Sequence, residues 1–287
     1  MTYLIVNADD FGLTPGVNRS ICELEQAGAV TSATLMATAD YFDEAALRAK
    51  AQRNLGVGCH VVLVDGRPVL PPGEIPGLAA SGQFRPTLAA FVRELMRRKI
   101  SEAEIEAEAT AQIRRLQAAG IQVTHIDTHK HTHTFVRVLR PLLRAAKTCG
   151  VRAIRNPFEP GWAAAATPNA PEGRRWQIRL LRGRRRAFVK RVADAGLVTT
   201  DGAIGVLATG ILNTSTLRKL LSIMPKGTWE LVCHPGYVDP ALDSVRTLLR
   251  ESRALEHEAL RRIVPAYVDA HSEIELGHFG ELPKLPL

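Results

Sequence analysis

Between His125 and His133 the chain reads His-Ile-Asp-Thr-His-Lys-His-Thr-His, so four histidines and an aspartate recur at every second position. In an extended backbone, successive side chains point to opposite faces. That alternation predicts that His125, Asp127, His129, His131 and His133 project to one side and converge on a cation or a polar substrate. Imidazole with carboxylate suits Zn²⁺, Mn²⁺ or Fe²⁺ and, less typically, Mg²⁺. The plainer alternative is a solvent-facing strand of satisfied histidines, and the density of the cluster weighs against it. Asp9 and Asp10 are a second pair of interest. Two adjacent carboxylates are costly to hold charged unless a cation takes one and leaves the other as a base, although a solvated turn with an aspartate cap is also open. His60, among Val57, Val61, Val62 and Leu63, reads alone as a core histidine with a satisfied hydrogen bond. His234, in Cys233-His234-Pro235-Gly236, either begins a turn or is placed to act as a general acid.

Positioning these residues is the work of an alternating strand and helix pattern. Leu4 to Ala8 reads as a first strand. Thr14 as N-cap and Pro15 at the first helical position open a helix that stops at Gly28. Val30 to Ala37, Val57 to Val64, Ile121 to Asp127, Val151 to Arg155, Ala203 to Leu207 and Glu230 to His234 read as further strands. Helices are expected at Phe42 to Arg53, from the capping box of Ser101 and Glu104 to Gly120, at Phe135 to Cys149 and at Asp243 to Ile263. The Pro-rich stretch 65–86 is expected to be an irregular, substrate-covering loop. No Gly-rich dinucleotide turn follows the first strand. The expectation is therefore one domain over residues 1–287, an irregular (β/α) TIM-like barrel of about seven parallel strands. The C-terminal strand ends of such a barrel share one face, which would gather Asp9, Asp10, His60, the histidine run and His234 at a single mouth.

Composition narrows the partners. The chain has 287 residues and a formal net charge of +8, and its apolar runs fall short of the roughly 20 residues of a membrane span. Its first residues lack a basic n-region and a small-residue cleavage site, so a cytoplasmic location is expected. Cys22, Cys59, Cys149 and Cys233 show no CxxC spacing and are expected to be reduced and buried. Much of the surplus charge lies in a basic insertion at about 170–192, where nine Arg and Lys residues from Arg174 to Arg191 are interleaved with Trp176, Ile178, Leu180, Leu181, Phe188 and Val189. The segment suits a solvated helix or an anionic membrane surface; lacking any nucleic-acid motif, it argues against nucleic acid.

Asn7-Ala8-Asp9-Asp10-Phe11-Gly12, Gly58-Cys59-His60, the His125 to His133 run and Cys233-His234-Pro235-Gly236 together resemble the YdjC-like carbohydrate deacetylases, over most of the chain. Within that family, Val64 to Pro71 and Asp127-Thr128-His129-Lys130-His131 are most similar to the hopanoid-biosynthesis-associated deacetylases; chitooligosaccharide deacetylases usually carry a further His where Lys130 stands. The resemblance implies an irregular (β/α) barrel that removes N-acetyl groups from amino sugars with one divalent metal ion, Mg²⁺ or Zn²⁺ among others. It implies Asp10, His60 and His129 as metal ligands, Asp9 as general base and His234 as general acid. Arg155, in Arg155-Asn156-Pro157, is similar to an Arg-x-Pro motif of related polysaccharide deacetylases and would orient Asp9. Asp127, His131 and His133 would either fix ligand tautomers or touch substrate. The implied substrate is an N-acetylglucosaminyl hopanoid, with Arg174 to Arg191 docking the enzyme at the inner face of the membrane. A chitooligosaccharide deacetylase, a two-metal phosphoesterase and a basic binding module stay open as alternatives, and no oligomeric state follows from the sequence.

Overall fold

A computed structural model describes residues 1–284. In chain order the elements are β1 (Thr2–Phe11), α1 (Pro15–Gln26), β2 (Ser32–Leu35), α2 (Phe42–Ala51), β3 (Gly56–Val61), α3 (Pro76–Ala79), α4 (Leu88–Met96), α5 (Glu102–Ala118), β4 (His125–Thr128), α6 (Val136–Thr148), β5 (Ala153–Ile154), α7 (Gly161–Ala166), α8 (Glu172–Arg182), α9 (Arg185–Asp194), β6 (Gly202–Ile204), α10 (Thr214–Ser222), β7 (Gly227–Cys233), α11 (Glu251–Asp269) and β8 (Ile274–Leu276). Seven parallel strands pair in the order β5-β4-β3-β2-β1-β7-β6, and β8 adds to the first residues of β1. Between β5 and β6, Val198 exchanges backbone hydrogen bonds with Arg152 and Ile154. The sheet curls into a TIM-like α/β barrel.

The alternation of β1 sorts its side chains. Leu4, Val6 and Ala8 join the large core against the helices, while Tyr3 and Ile5 join Ala153, Phe279 and Leu282 in a separate small cluster. Asn7 and Asp9 share the face of Tyr3 and Ile5 by the same period of two, so the enclosed side of the sheet changes from apolar to ionic along one strand. Gly58 serves that inner packing. A Cβ there would lie 2.4 Å from the His125 ring, which stacks on Phe279 with centroids 4.0 Å apart.

The caps read from the sequence are present: Thr14 accepts from Val17 N–H, and Ser101 and Glu104 form the reciprocal box. Other boundaries differ. β4 begins at His125 rather than Ile121, and α11 begins at Glu251 rather than Asp243, because Asp239 caps a short 3₁₀ turn at Pro240–Ser244 first. The Pro-rich stretch contains α3, with Pro76 at its first position, where proline needs no N–H donor. The basic insertion is two helices, α8 and α9, separated at Gly183 and Arg184.

Candidate active site

Asp9 and Asp10 close β1, and a regular strand would point them to opposite faces. Asp10 adopts φ 66°, a left-handed conformation that aspartate tolerates better than most residues. That turn brings both buried carboxylates to the mouth.

On one side, Asp10 meets the ends of β3 and β4. Its Oδ1 lies 3.8 Å from His60 Nε2 and 3.7 Å from His129 Nδ1, and the two nitrogens are 3.3 Å apart. These three atoms are one group in the described residues able to hold a metal ion; Asp9, His60 and Asp127 form another. The first set fits better. His60 Nδ1 is 2.8 Å from Asp127 Oδ1, which directs Nε2 toward the cluster in the carboxylate–histidine arrangement common behind metal ligands. Burial alone would lower the His60 pKa, but Asp127, Asp9 and Asp10 push it up to about 9, and the negative field responsible equally favours a cation at Nε2. Burial lowers His129 to about 4 and leaves it neutral, the form that ligates. One carboxylate and two imidazoles would suit Zn²⁺ or a harder divalent ion and leave coordination positions open.

On the other side stands Asp9. Arg155 grips it with two bonds, Nη2 to Oδ1 at 2.6 Å and Nη1 to Oδ2 at 2.8 Å. The same guanidinium pairs with Asp127 and donates through Nε to Glu230 Oε1 at 2.7 Å. Burial by itself pushes the Asp9 carboxyl up, but Arg155, His60 and His234 outweigh it and hold Asp9 well below the usual carboxylate range. Burial likewise pushes Glu230 up, to about 7, against the pull of Arg155. Asp9 Oδ1 also accepts from Asn7 Nδ2 at 2.9 Å and Thr34 Oγ1 at 3.0 Å, so its lone pairs are occupied. Oδ2 faces His234 Nε2 at 3.7 Å and keeps room for a proton.

The histidine run does not continue as one extended strand. Past Thr128 it tightens into a 3₁₀ turn with Lys130 at φ 57° and His131 at φ 50°. The five groups therefore separate. His125 lies deeper, against Phe279; Asp127 joins Arg155 and His60; His129 joins Asp10. His131 has its ring centroid 6.1 Å from that of His133, and burial lowers its pKa to about 3. His133 Nδ1 lies 2.6 Å from Thr128 Oγ1, and its ring centroid is 6.2 Å from that of Phe188 of α9.

Sequence reasoning missed several participants. Glu230 sits mid-strand in Trp229-Glu230-Leu231-Val232, and a charge in an apolar strand was a readable signal. Arg253 and Glu256 of α11 were hidden among its other charges. Arg253 Nη2 lies 2.6 Å from Asp10 Oδ2, and Glu256 accepts the His234 backbone N–H at 2.6 Å. Lys130 pairs with Asp65 at 2.8 Å, joining the loops that follow β4 and β3.

Fold and site thus define a TIM-like barrel protein with an ionic cluster gathered from the C-terminal ends of its strands. The chain belongs to the YdjC-like protein family, whose description matches residues 3–271. It is 31% identical over 262 residues to a carbohydrate deacetylase of Halalkalibacterium halodurans, covering 91% of this chain and 95% of that one. To a carbohydrate deacetylase of Listeria monocytogenes it is 30% identical, covering 97% and 99%. A shorter match to one from Brevibacillus brevis is 42% identical, and there the chain spans about half of that relative, 55% of its length. A crystal structure from Enterococcus faecalis, provisionally named a cellobiose-phosphate cleavage protein, superposes with a TM-score of 0.78 over 98% of both chains at 26% identity.

Proposed function

We propose that this protein is a metal-dependent carbohydrate deacetylase, a hydrolase that removes acetate from an N-acetylated amino sugar. The observation that carries this reading is the convergence of Asp10 Oδ1, His60 Nε2 and His129 Nδ1 beside Asp9 and His234. The full-length relatives named carbohydrate deacetylases support it.

A divalent ion held by Asp10, His60 and His129 would supply Lewis-acid polarisation of the acetyl carbonyl and lower the pKa of water. The other groups act around it. Asp9, ionised through Arg155, accepts the proton of the attacking water at Oδ2, because its Oδ1 is already occupied by three donors. His234 donates a proton to the departing amine, so acetate and a free amino sugar leave together. Asp127 keeps His60 oriented, and Arg155 holds Asp9 and Asp127 in fixed relation.

Within this activity, the substrate is proposed to be the N-acetylglucosaminyl headgroup of a hopanoid, a reading supported by the likeness of residues 64–71 and 127–131 to that subgroup. The exposed helix α8 is proposed to meet the anionic membrane that presents the headgroup. Acetate release from N-acetylglucosaminyl hopanoid and from diacetylchitobiose tests both levels, with added divalent metal and Asp9→Asn as control. Release from the lipid alone is expected. Release from the sugar alone would keep the chemistry and discard the hopanoid, and release from neither would overturn the deacetylase reading.

A further inference from the structure

Arg253 is a residue that the chemistry above does not use, yet it is one of the largest fully buried side chains in the protein. It lies in the first turn of α11, where the helix macrodipole disfavours a cation, so its placement needs another cause. Its guanidinium supplies one. Nη2 donates to Asp10 Oδ2 at 2.6 Å, Nη1 reaches the carbonyl of His234 at 3.4 Å, and Nε donates to the carbonyl of Leu249 at 3.1 Å. One planar group therefore touches a candidate metal ligand and the backbone of the candidate general acid. Glu256, one turn further on, receives the N–H of the same His234.

We propose that Arg253 is a positioning residue for the metal site: by holding Asp10 Oδ2, it leaves Oδ1 alone facing His60 Nε2 and His129 Nδ1, and it ties that ligand to the strand end carrying His234. The inference rests on the metal-dependent reading of the site. A carboxylate at a strand end can rotate and offer either oxygen or both. The fork removes that freedom because its own orientation is fixed by two carbonyls. Lysine would not substitute, since a point charge on a flexible stem cannot hold the carboxylate and the carbonyls at once.

A rival role gives the opposite sign. If Arg253 served only to neutralise a buried carboxylate, removing its charge would strengthen the attraction of Asp10 for a divalent cation, and Arg253→Lys would bind metal like wild type. Positioning predicts that both Arg253→Met and Arg253→Lys bind more weakly, by about 10–100-fold. Calorimetric titration of the metal-free protein with Zn²⁺ and with Mn²⁺ reads this directly, apart from activity. Arg262→Met, on the exposed face of α11, serves as control and should bind like wild type.

Arg253→Lys carries the test if Arg253→Met does not fold, and its thermal unfolding without metal should match wild type while its Kd rises. Metal affinity that is unchanged or tighter in folded Arg253→Lys overturns the positioning role and leaves the deacetylase reading intact. Failure of wild type itself to bind either metal overturns the metal-dependent reading, and this inference with it.

Discussion

Asp9 and Asp10 are adjacent, both buried, and each is held by its own buried arginine, yet the two halves of the site are wired differently. Arg155, leaving β5, engages both oxygens of Asp9 and also serves Asp127 and Glu230. Arg253, on α11, engages one oxygen of Asp10 and two backbone carbonyls. The Asp9 half is a closed ionic network around one guanidinium. The Asp10 half is more open, with one carboxylate oxygen facing two imidazole nitrogens, the candidate ligand set. Identical side chains thus acquire different chemistry from the number of oxygens their partners leave exposed. A further buried carboxylate, Glu159, differs in its partners: its hydrogen-bond donors are the backbone N–H groups of Gly205 and Leu207, and the charges of Arg174 and Arg182 add a weaker pull. Burial pushes both aspartates up in the same way, but the arginines carry Asp9 and Asp10 well below the ordinary range, whereas burial wins at Glu159 and raises it to about 7.

The sharpest test of this division is Asp9→Asn. The amide keeps the shape of the side chain and removes the proton acceptor. Turnover measured as acetate release should fall by about 10²–10⁴-fold, while Zn²⁺ affinity falls far less, because Asp9 adds to the field at His60 but gives no ligand atom to the Asp10 set. Loss of metal binding in this variant would show that the two halves are one unit.

Stability should separate the arginines next. Arg155→Met removes the guanidinium that three buried carboxylates share, and removing one partner of a buried pair costs about 3–5 kcal/mol. Arg253→Met strands one carboxylate, so chemical denaturation should show a smaller loss. An equal loss in the two variants would break the comparison.

How much of this was legible in the sequence follows from the same contrast. Asp9, Asp10, His60, His129 and His234 stand at or next to strand ends, and the rule that barrel strands share a C-terminal face was enough to place them together. Arg155 and its bond to Asp9 were anticipated through the Arg155-Asn156-Pro157 motif. Arg253 was not, because α11 was expected to start at Asp243; on that reading, Arg253 falls among mid-helix charges and not in a first turn, where a cation stands out. The histidine run misled in a different way. Alternation at every second position holds only while the backbone is extended, and the left-handed residues Lys130 and His131 end that regime after Thr128. Local pattern gave the residue types correctly and the common face wrongly, since alternation does not show the contacts that hold the turn: Thr128 Oγ1 with His133 inside the run, and Lys130 with Asp65 on the loop after β3.

Glu159 offers a pH test of a carboxylate at which burial outweighs its partners. A folded pKa of about 7 against an ordinary 4.5 means that the folded protein binds this proton more tightly than the unfolded chain. The associated stability is fully present below about pH 4.5 and is lost as pH rises through about 7, a change of up to about 3 kcal/mol. Glu159→Gln should remove that share of the decline, read from denaturation midpoints between pH 5 and pH 8. Parallel profiles for the two proteins would mean that Gly205 and Leu207 N–H already keep Glu159 ionised.

The smallest effect is expected where the chain invests least in its own packing. Among its described residues α8 has no buried side chain, and Trp176 and Leu180, one turn apart, are 63% and 71% exposed beside Arg179. The helix is fastened by its arginines: Arg174 donates to the carbonyl of Thr209, and Arg175 to that of Thr167. The apolar pair therefore contributes little to the fold, and Trp176→Ser with Leu180→Ser should change stability by no more than about 0.5 kcal/mol. At a bilayer the balance reverses, because burying a side chain the size of leucine contributes about 1.5–3 kcal/mol. Co-sedimentation with vesicles containing phosphatidylglycerol at low salt should weaken by roughly tenfold in the double variant, and turnover of a water-soluble amino sugar should be unchanged. Raising the salt should weaken wild-type binding as well, since the surrounding arginines act over a Debye length of about 8–10 Å. Of the three basic positions that follow Gly183, Arg185 already donates to the carbonyl of Asp201, so the salt-dependent component is expected to fall mainly with Arg184 and Arg186. Vesicle binding that survives the loss of both Trp176 and Leu180 would return α8 to the role of a solvated basic helix.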